Sequence, residues 1–333
     1  MEELKGKRIL LIALTEYSKG IISELQKMGA LVDYMCDKPN NGVVCKTLGR
    51  LKFKPYIGVI EKYYEEKIRT FSKNQYDYIL AIRGEYTPAA SVRLLKTTFP
   101  TARVILYMWD SLRNNKGIED KWKFYDKIWT FDRIDYLAHK NEIDFLPLFY
   151  YNSFLPDNTG EYKYDIAFIG TGHEDRVKVI KGIKKQCELY GLKMFEYVFL
   201  PHTLIYLKNK LKNKNYKGVT AKEIHFSLMP TKEAYKIYSE SRCVVDIESP
   251  TQCGLTMRTI EMIGLKKKLI TTNKDIVNYE FYNPSNIMVV DRTNFVIDPN
   301  FINKPYECLD DEIYKKYSLH GWILQVLDIN VKK

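Results

Sequence analysis

The sequence predicts an α/β protein made of two similar domains, each a parallel, doubly wound sheet covered by helices. Short apolar runs alternate with longer amphipathic segments along the whole chain, as expected for parallel strands joined by crossover helices. A polar segment over 151–162, rich in Asn, Ser, Pro, Asp and Gly, interrupts this alternation, which then starts again at Tyr164. With 333 residues, the chain is long enough for two cores. Two Rossmann-like halves of similar size are therefore expected.

Residues 1–150 are expected to form the first domain. Its strands should be continuous apolar runs, because helices cover both faces of a parallel sheet. These runs are 8–14, 31–35, 76–82, 103–109 and 127–131, with an edge strand at 145–148. Helices are expected over 20–28, where Gly29 ends the helix, over 88–96, where Pro88 lies near the first turn, and over 132–140.

A linker over 151–163 leads to the second domain, residues 164–308. Its expected strands are again apolar runs: 164–169, 192–199, 243–247, 268–272 and 286–290. Its helices are expected over 175–190, after Pro201 and over 235–241. The tail, 309–333, is predicted to carry one amphipathic helix over 310–331.

The formal charge of +11 points to an anionic partner, which could be nucleic acid, a membrane surface or a phosphorylated substrate, or else to a lysine-rich solvated surface. No RNA- or DNA-binding motif is present, so no nucleic acid partner is expected. The six cysteines form no CxxC pair, which argues against a zinc site or disulfide framework and suits a reducing cytoplasm. No apolar stretch approaches the length of a bilayer span.

Two basic stretches could contact an anionic membrane surface peripherally. In the first, Lys46, Arg50, Lys52 and Lys54 alternate with apolar and aromatic residues. In the second, over 181–217, nine Lys face two Glu. Lysine beside apolar side chains is typical of proteins that lie on anionic lipid, although a solvated face has the same composition.

The segment 249–261 carries the clearest candidate for a ligand site. It follows the apolar run 243–247 and contains Gly254 before an expected helix. The free N–H groups at a helix start favour an anion. Arg258 and Glu261, three residues apart, share one helix face; the Arg could hold a phosphate and the Glu a ribose hydroxyl pair. The alternative is a capped surface helix with an Arg–Glu pair.

A glycine pair, Gly170 and Gly172, follows the first strand of the second domain, where it would let a ligand or another backbone approach closely. Asp175 stands where a dinucleotide motif would need a third glycine, which argues against a nicotinamide site. Arg176 could reach a phosphate, and His173 could contact one; a surface Arg and a structural His are the alternatives.

Two acids at strand ends of the first domain are candidate general bases. Asp110 follows the run 103–109, and Glu85 follows the run 76–82. A carboxylate at a carboxyl strand end can accept a substrate proton, but each could also be a helix cap or a partner of Arg83 or Arg113. Glu16 is a third candidate. The chain has no Asp-x-Asp pair, which favours chemistry without a metal, and no metal ligands are predicted.

Three segments together resemble GT-B glycosyltransferases, in particular bacterial capsular or lipopolysaccharide biosynthesis proteins and the CgeB-like group. They are YDIAFIGTGHEDR at 164–176, the strand, loop and helix over 243–261, and KKKLITTN at 266–273. The resemblance implies two Rossmann-like domains facing a cleft, with the sugar nucleotide bound by the second domain and the acceptor and base in the first. It also implies a C-terminal helix that crosses back to the first domain, around residues 320–322.

By position, the resemblance implies that Arg258 contacts diphosphate, Glu261 the ribose, and that Gly170 and Gly172 line the cleft. The retaining type has two glutamates eight residues apart; here Thr256 lies eight residues after Glu248, so inverting and retaining chemistry both stay open. The full set expected to bind the donor is Gly170, Thr171, Gly172, His173, Arg176, Glu248, Gly254, Leu255, Thr256, Arg258 and Glu261.

The expected function is transfer of a hexose from a UDP-linked or other nucleotide diphosphate sugar to a cell-surface glycan or lipid-linked acceptor. Asp110 is the first candidate for the base and Glu85 the second. No cofactor is expected beyond the donor, and the expected location is cytoplasmic, at the inner face of the plasma membrane. The alternatives are a sugar-nucleotide epimerase of similar fold and a non-catalytic scaffold of polysaccharide assembly.

Overall fold

The computed structural model describes residues 3–39, 54–151, 162–250 and 253–329. The chain divides into two compact units: unit 1 comprises Met1–Leu148 and Leu319–Lys333, and unit 2 comprises Phe149–Ser318. Each unit contains one six-stranded sheet in which every described strand pair is parallel. The predicted α/β class with two Rossmann-like domains is confirmed.

The sheet of unit 1 has the order β2-β1-β3-β4-β5-β6. Its strands are β1 (Arg8–Ile12), β2 (Leu31–Met35), β3 (Tyr78–Ile82), β4 (Arg103–Met108), β5 (Lys127–Thr130) and β6 (Asp144–Phe145). All six lie within or at the edge of the predicted apolar runs. The order of strands reverses at β1, between β2 and β3, and ligands bind at the carboxyl edge of such reversal points in open α/β sheets.

The described α-helices of unit 1 before its last segment are α1 (Thr15–Lys27), α2 (Lys54–Phe71), α3 (Ala89–Thr98) and α4 (Arg133–Ala138). The sequence analysis missed α2, because charged residues and tyrosines dominate its composition. The sequence pattern that could have predicted α2 is a four-residue repeat of side chains that the structure buries: Tyr56, Ile60, Tyr64 and Ile68. This repeat places one face of the helix in the core. The basic stretch predicted before it, at Lys46, Arg50 and Lys52, lies outside the described residues.

The sheet of unit 2 has the order β12-β11-β10-β7-β8-β9. Its strands are β7 (Tyr164–Thr171), β8 (Met194–Phe199), β9 (Ile224–His225), β10 (Ser241–Asp246), β11 (Lys268–Thr271) and β12 (Ile287–Val289). The described helices are α5 (Arg176–Leu189), α6 (Thr203–Lys212), α7 (Thr231–Ser239), α8 (Met257–Gly264), α9 (Pro299–Asn303) and α10 (Asp311–Lys316). The neighbours β7 and β10 lie at the centre of the sheet, so their carboxyl ends open on a common edge.

The single helix predicted over 310–331 is wrong. The chain forms α10 and then a separate helix, α11 (Leu319–Val326). Between them the Ser318 hydroxyl donates to the carbonyl of Lys315, and the backbone of Tyr317 accepts from the N–H of Tyr150. These contacts, with the preceding turn and with an extended segment at Tyr150, end α10 within unit 2.

The last helix, α11, belongs to unit 1 and packs beside α1. Trp322 is 1% exposed, and its ring meets that of Tyr107 edge-on at 4.9 Å. The indole N–H of Trp129 donates to the carbonyl of Val326 at 3.1 Å. A chain end more than 170 residues away in sequence thus completes the first core.

Among the described residues, no helix combines the length and the apolar character that crossing a membrane requires.

Candidate functional site

A pocket of about 350 Å³ opens at the carboxyl edge of the sheet in unit 2. The end of β7, the start of α5, the end of β10 and the start of α8 form its polar side. The polar lining residues from these segments are Thr171, Arg176, Asp246, Thr256 and Arg258, with Gly170 beside them. Aromatic and apolar side chains form the opposite side, including Tyr197, Phe199 and Leu228. Two guanidinium groups and a single carboxylate therefore face this space.

Asp246, the last residue of β10, fixes the start of α8. Its carboxylate is 2% exposed, and its Oδ2 accepts from the hydroxyls of Thr256 at 2.6 Å and Thr259 at 2.7 Å. Thr256 is the N-cap of α8, and its hydroxyl oxygen accepts from the N–H of Thr259, a cap that satisfies a free donor of the first turn. The strand end and the helix start are therefore held together by one buried carboxylate.

Arg258 reaches the pocket from the first turn of α8. Its Nε donates to the Tyr238 hydroxyl at 3.0 Å, and its Nη1 lies 3.6 Å from Oδ1 of Asp246. Burial lowers the pKa of Arg258, but the Tyr238 hydroxyl and the carboxylates of Asp246 and Glu261 outweigh that effect and raise it. The guanidinium stays charged while 24% of the side chain remains exposed.

Arg176 lies at the start of α5 and faces the same pocket. Its Nη1 donates to the Thr171 hydroxyl at 2.8 Å, and its Nε is buried with no hydrogen-bond partner among the described residues. Burial lowers the pKa of Arg176; Asp246 opposes this, whereas Arg258 and Arg292 add to it. A guanidinium that is short of counter-charge and of one acceptor is suited to an anionic ligand.

The two predicted glycines have different roles. A Cβ at Gly170 would lie 3.3 Å from Nη1 of Arg258 and 2.9 Å from the Phe168 ring, so the absence of a side chain allows Arg258 to approach. At Gly172 a Cβ would lie 2.8 Å from both the Tyr216 hydroxyl and Val198. Gly172 therefore serves close packing and does not line the pocket.

Several other predicted residues are used internally. Glu248 is 6% exposed; its Oε2 accepts from the Thr272 hydroxyl at 2.6 Å, and its Oε1 pairs with Arg292 at 2.7 Å. Leu255 is a core residue, 2% exposed, and Gly254 beside it is buried. None of these three lines the pocket. They position the loop between β10 and α8, part of which, at 251–252, lies outside the described residues.

Glu261 and His173 lie near the pocket without lining it. Burial raises the pKa of Glu261, against a hydrogen bond from Tyr235 and the charge of Arg258. The ribose contact expected of Glu261 stays a prediction. Burial, followed by the charge of Arg176, lowers the pKa of His173, which favours its neutral ring.

The sequence analysis missed Asp246, Tyr238 and Tyr197. Asp246 had a signal, because it is the single acid in the apolar run 243–247 and an acid at a strand end needs partners. Tyr238 lies on α7, and Tyr197 stacks on His225 with ring centres 3.8 Å apart. No local sequence pattern predicts these two positions, because Tyr238 and Tyr197 lie on elements other than the helices that carry Arg258 and Arg176.

In unit 1, both predicted acids converge on Arg83. Its Nη2 donates to Oε2 of Glu85 at 3.0 Å and to Oδ2 of Asp110 at 3.4 Å. Arg83 and Gly84 both have left-handed backbone, with φ of 74° and 63°, which is uncommon for arginine. A Cβ at Gly84 would lie 2.7 Å from the Leu106 side chain. The turn after β3 therefore holds Arg83 between the two carboxylates.

Asp110 is the more accessible of the two acids, with 29% of its side chain exposed against 11% for Glu85. Its Oδ1 accepts from the N–H of Ser111 at 2.9 Å and from the Asn114 amide at 2.8 Å. The long contact to Arg83 leaves Oδ2 with capacity to accept a further hydrogen bond. The side chain of Glu16, the third candidate, lies outside what the structure describes.

A third acid of this region, Asp37, follows β2 and was not predicted. It is 1% exposed, and its Oδ2 has no hydrogen-bond partner among the described residues. Burial raises its pKa to about 6, against the charges of Lys38 and Arg83. Such burial excludes direct contact with a substrate in this conformation.

Solved structures of similar fold span the whole chain. A glycosyltransferase from Rickettsia africae superposes with a TM-score of 0.61 at 13% identity, covering 97% of both chains. HepE from Anabaena, solved in complex with UDP and glucose, gives 0.56 at 11% identity, covering 97% of this chain and 99% of that one. A UDP-N-acetylglucosamine 2-epimerase gives 0.51 at 12% identity, covering 97% and 95%.

No protein-family model matches the chain, and a search of curated proteins gives no match. The structural likenesses show the fold, which is the GT-B arrangement of two Rossmann-like domains. At these identities, any activity has to be argued from the site.

The raised pKa of Asp37 predicts a pH-dependent stability of unit 1. Below about pH 4 the carboxyl is protonated in both the folded and the unfolded state. Between about pH 4 and about 6 the unfolded chain releases its proton first, so stability falls as pH rises and then stays lower. We expect Asp37→Asn to gain about 1–3 kcal/mol relative to the parent between pH 4 and pH 7.

Hydrogen exchange of the amides of β1 and β3 measures the free energy of unfolding of unit 1 by itself. Asp120→Asn, which removes an exposed carboxylate, controls for the change in net charge. If the free energy of unfolding differs between Asp37→Asn and the parent by the same amount at about pH 4 and at about pH 7, the carboxyl of Asp37 does not cause the pH dependence.

Proposed function

We propose that the protein is a glycosyltransferase that moves a hexose from a UDP-linked donor to a cell-surface glycan or lipid-linked acceptor. The observation that carries this proposal is the pair Arg176 and Arg258, which face one pocket at the carboxyl edge of a Rossmann-like sheet. HepE, of similar fold, is solved with UDP and glucose, and this supports UDP as the donor nucleotide.

In this proposal the two arginines hold the diphosphate of the donor. Arg258 is already aligned by Tyr238 and Asp246, so little side-chain freedom is lost on binding. Arg176 lines the same pocket, where its Nη1 donates to the Thr171 hydroxyl, so its charge faces the phosphate groups. The apolar side, with Tyr197 and Phe199, is available to the base and sugar, and Glu261 is proposed for the ribose.

The same two guanidinium groups would stabilise the leaving diphosphate as negative charge develops on it. In the part of the chain that the structure describes, no three or more His, Cys, Asp or Glu side chains are placed to hold a metal. Metal-independent transfer is part of the proposal, because the two guanidinium groups can offset the charge of the diphosphate, and an unchanged rate in EDTA is its expected result.

Asp110 is proposed as the base that takes the proton of the acceptor hydroxyl. Its side chain is partly exposed and can accept that proton, and Arg83 would stabilise the neighbouring Glu85 while Asp110 is protonated. Glu85 is the second candidate, since it shares the guanidinium but is less exposed.

An epimerase is the second candidate function, because a UDP-N-acetylglucosamine 2-epimerase shares the fold. Such an enzyme converts its donor without an acceptor. Conversion of UDP-N-acetylglucosamine to its 2-epimer in buffer alone, followed by NMR, would favour the epimerase over the transferase. A scaffold with no nucleotide site would bind neither UDP nor GDP in calorimetry.

The first prediction of the proposed function concerns UDP binding. Arg258→Gln and Arg176→Gln should each weaken UDP binding by about 10- to 100-fold, because each removes charge-assisted hydrogen bonds to the diphosphate. Titration calorimetry with UDP and with uridine measures this. Uridine lacks the diphosphate, so its affinity should change little.

Arg69→Gln, which removes an exposed arginine on α2, is the matched control. Unchanged UDP affinity in both pocket variants would rule out this pocket as the diphosphate site. If Arg69→Gln also lowers the affinity for UDP, the effect reflects non-specific attraction between UDP and the positive charge of the protein.

The second prediction concerns catalysis. Asp110→Asn should lower the rate of UDP release from UDP-glucose, with a bacterial membrane extract as acceptor source, by about 10²- to 10⁴-fold. UDP affinity should stay at the parent level, because Asp110 belongs to unit 1 and the diphosphate pocket to unit 2. Asp120→Asn is the control. If Asp110→Asn and Glu85→Gln both keep the full rate, the assignment of the base is wrong.

The proposal includes peripheral binding to an anionic membrane, at the cytoplasmic face. On α6, Leu204, Leu207 and Leu211 form a stripe with exposures of 67%, 48% and 86%, at the spacing of one helix face. Lys208 and Lys212 flank it. Exposed leucines beside lysines fit the boundary between lipid headgroups and acyl chains.

Leu228, 72% exposed, lines the nucleotide pocket. The ring of its near neighbour Phe226 lies 6.4 Å from that of Tyr206 on α6. Leu228 therefore adds exposed apolar surface at the pocket itself, where a lipid-linked acceptor would lie close to the donor.

Leu207→Asn/Leu211→Asn should reduce binding to phosphatidylglycerol vesicles by about 10-fold or more, because it removes two exposed apolar side chains. Cosedimentation with vesicles measures this. Leu189→Asn/Val296→Asn is the matched control, since those side chains are 70% and 61% exposed elsewhere on unit 2. Equal vesicle binding by parent and the α6 variant would contradict the proposal.

A further inference from the structure

A second pocket of about 230 Å³ lies in unit 2 at the amino edge of its sheet. Arg242 near the start of β10 and Lys268 at the start of β11 both line it. The nucleotide pocket lies at the opposite edge, where Asp246 ends β10. The two pockets share no lining residue.

The wall of this pocket is cationic. Five basic side chains line it, and the described lining contains no Asp or Glu: Arg242, Lys266, Lys267, Lys268 and Lys304. Tyr162 and Tyr306 contribute aromatic rings. Like charges at this density repel one another, so the empty pocket is electrostatically unfavourable.

Two of these lysines are buried. Lys267 and Lys268 are 5% and 3% exposed, and among the described residues neither has a carboxylate within ion-pair distance. Lys267 donates to the carbonyls of Ser239, at 2.6 Å, and Ser241, at 3.0 Å. Burial lowers the pKa of Lys267 to about 8, as expected for an ammonium without a counter-ion.

The buried pair also has a structural role. Ser239 ends α7, and Lys268 donates to the carbonyls of Phe301 and Lys304 at the end of α9, so each lysine caps a helix C-terminus. An ammonium carries three donors, and these contacts use two of them in each case. The ammonium of Lys267 also lies 4.7 Å from the centre of the Tyr162 ring, and that of Lys268 lies 4.4 Å from the centre of the Phe301 ring, so aromatic faces as well as carbonyls surround the two buried charges.

The side chains of the exposed cations of this pocket, in contrast to those of Lys267 and Lys268, cap no described helix. Lys304 is exposed and makes no ion pair with a described residue. Lys266 is exposed and has a left-handed backbone, with φ of 51°, a conformation that Gly or Asn adopts at lower cost. Its ammonium lies 5.1 Å from the Tyr314 ring. Arg242 pairs with Asp165 at 3.4 Å and lies over the Tyr162 ring.

We propose that this amino-edge pocket binds a phosphate-bearing ligand, separately from the nucleotide pocket. A phosphate offers several acceptor oxygens and one or two negative charges, which suit the five cations of this wall. The same chemistry belongs to an anionic lipid headgroup and to a free phosphate compound. The inference does not depend on the proposed transferase activity.

Inorganic pyrophosphate is the probe, titrated by calorimetry into protein that is saturated with UDP, so that the first pocket is filled. The variant Lys266→Asn/Lys304→Gln removes two exposed charges, keeps both helix-capping lysines and places Asn where φ is positive. We expect its Kd for pyrophosphate to rise by about 10-fold or more. Lys185→Gln/Lys222→Gln, two exposed lysines elsewhere on unit 2, is the matched control and should bind like the parent.

Binding to phosphatidylglycerol vesicles distinguishes a lipid headgroup from a free phosphate compound. If Lys266→Asn/Lys304→Gln also loses binding to phosphatidylglycerol vesicles while the control does not, and pyrophosphate competes, the ligand is a lipid headgroup. If vesicle binding is unchanged while pyrophosphate affinity falls, the ligand is a free phosphate compound.

Three results would overturn the inference: no pyrophosphate binding by the UDP-saturated parent, equal affinity in parent and pocket variant, or an equal loss in the control variant. Failure of UDP itself to bind would count against the proposed function instead. The pyrophosphate titration without UDP, compared between parent and Lys266→Asn/Lys304→Gln, would still test this pocket.

Discussion

The pocket at the carboxyl edge of the sheet in unit 2 depends on the buried carboxylate of Asp246. An ionised group at 2% exposure is costly unless its oxygens are satisfied, and here two threonine hydroxyls and the nearby Arg258 satisfy it. Those partners come from the start of α8, so the cost of burial is offset only when α8 begins where it does. The same contacts hold Arg258 at the pocket, which links the stability of the loop between β10 and α8 to the position of a ligand-binding charge.

Unit 1 uses the opposite arrangement, a partly buried cation among acids. Arg83 lies between Glu85 and Asp110 in a left-handed turn after β3, and the buried carboxyl of Asp37, which follows β2, lies nearby. Both units thus place charged groups at carboxyl strand edges, where backbone hydrogen bonding ends and loops are free to vary. The sign of the prevailing charge differs between the two units. In unit 2 a pair of arginines faces the pocket, whereas in unit 1 two carboxylates flank one arginine.

The surplus of positive charge is not spread evenly over the described surface of unit 2. Arg176 and Arg258 serve the carboxyl edge, Lys208 and Lys212 flank the exposed leucines of α6, and five cations line the amino-edge pocket. A formal charge of +11 gave no means of separating these three groups. Only the pairing of β10 with its neighbours shows that Arg242 and Asp246, four residues apart in one strand, lie at opposite edges of the sheet.

By itself the sequence determined the fold class, because the spacing of apolar runs is a local property that parallel strands impose on the chain. It also located Arg176 and Arg258 at helix starts and Glu85 and Asp110 at strand ends. The tertiary structure decided which of these residues share a pocket, that Gly172 and Glu248 serve packing and loop geometry, and that the tail breaks into α10 and α11. Those outcomes depend on contacts between residues far apart in the chain, such as Tyr238 with Arg258 or Tyr107 with Trp322, and no local pattern of residues encodes such contacts.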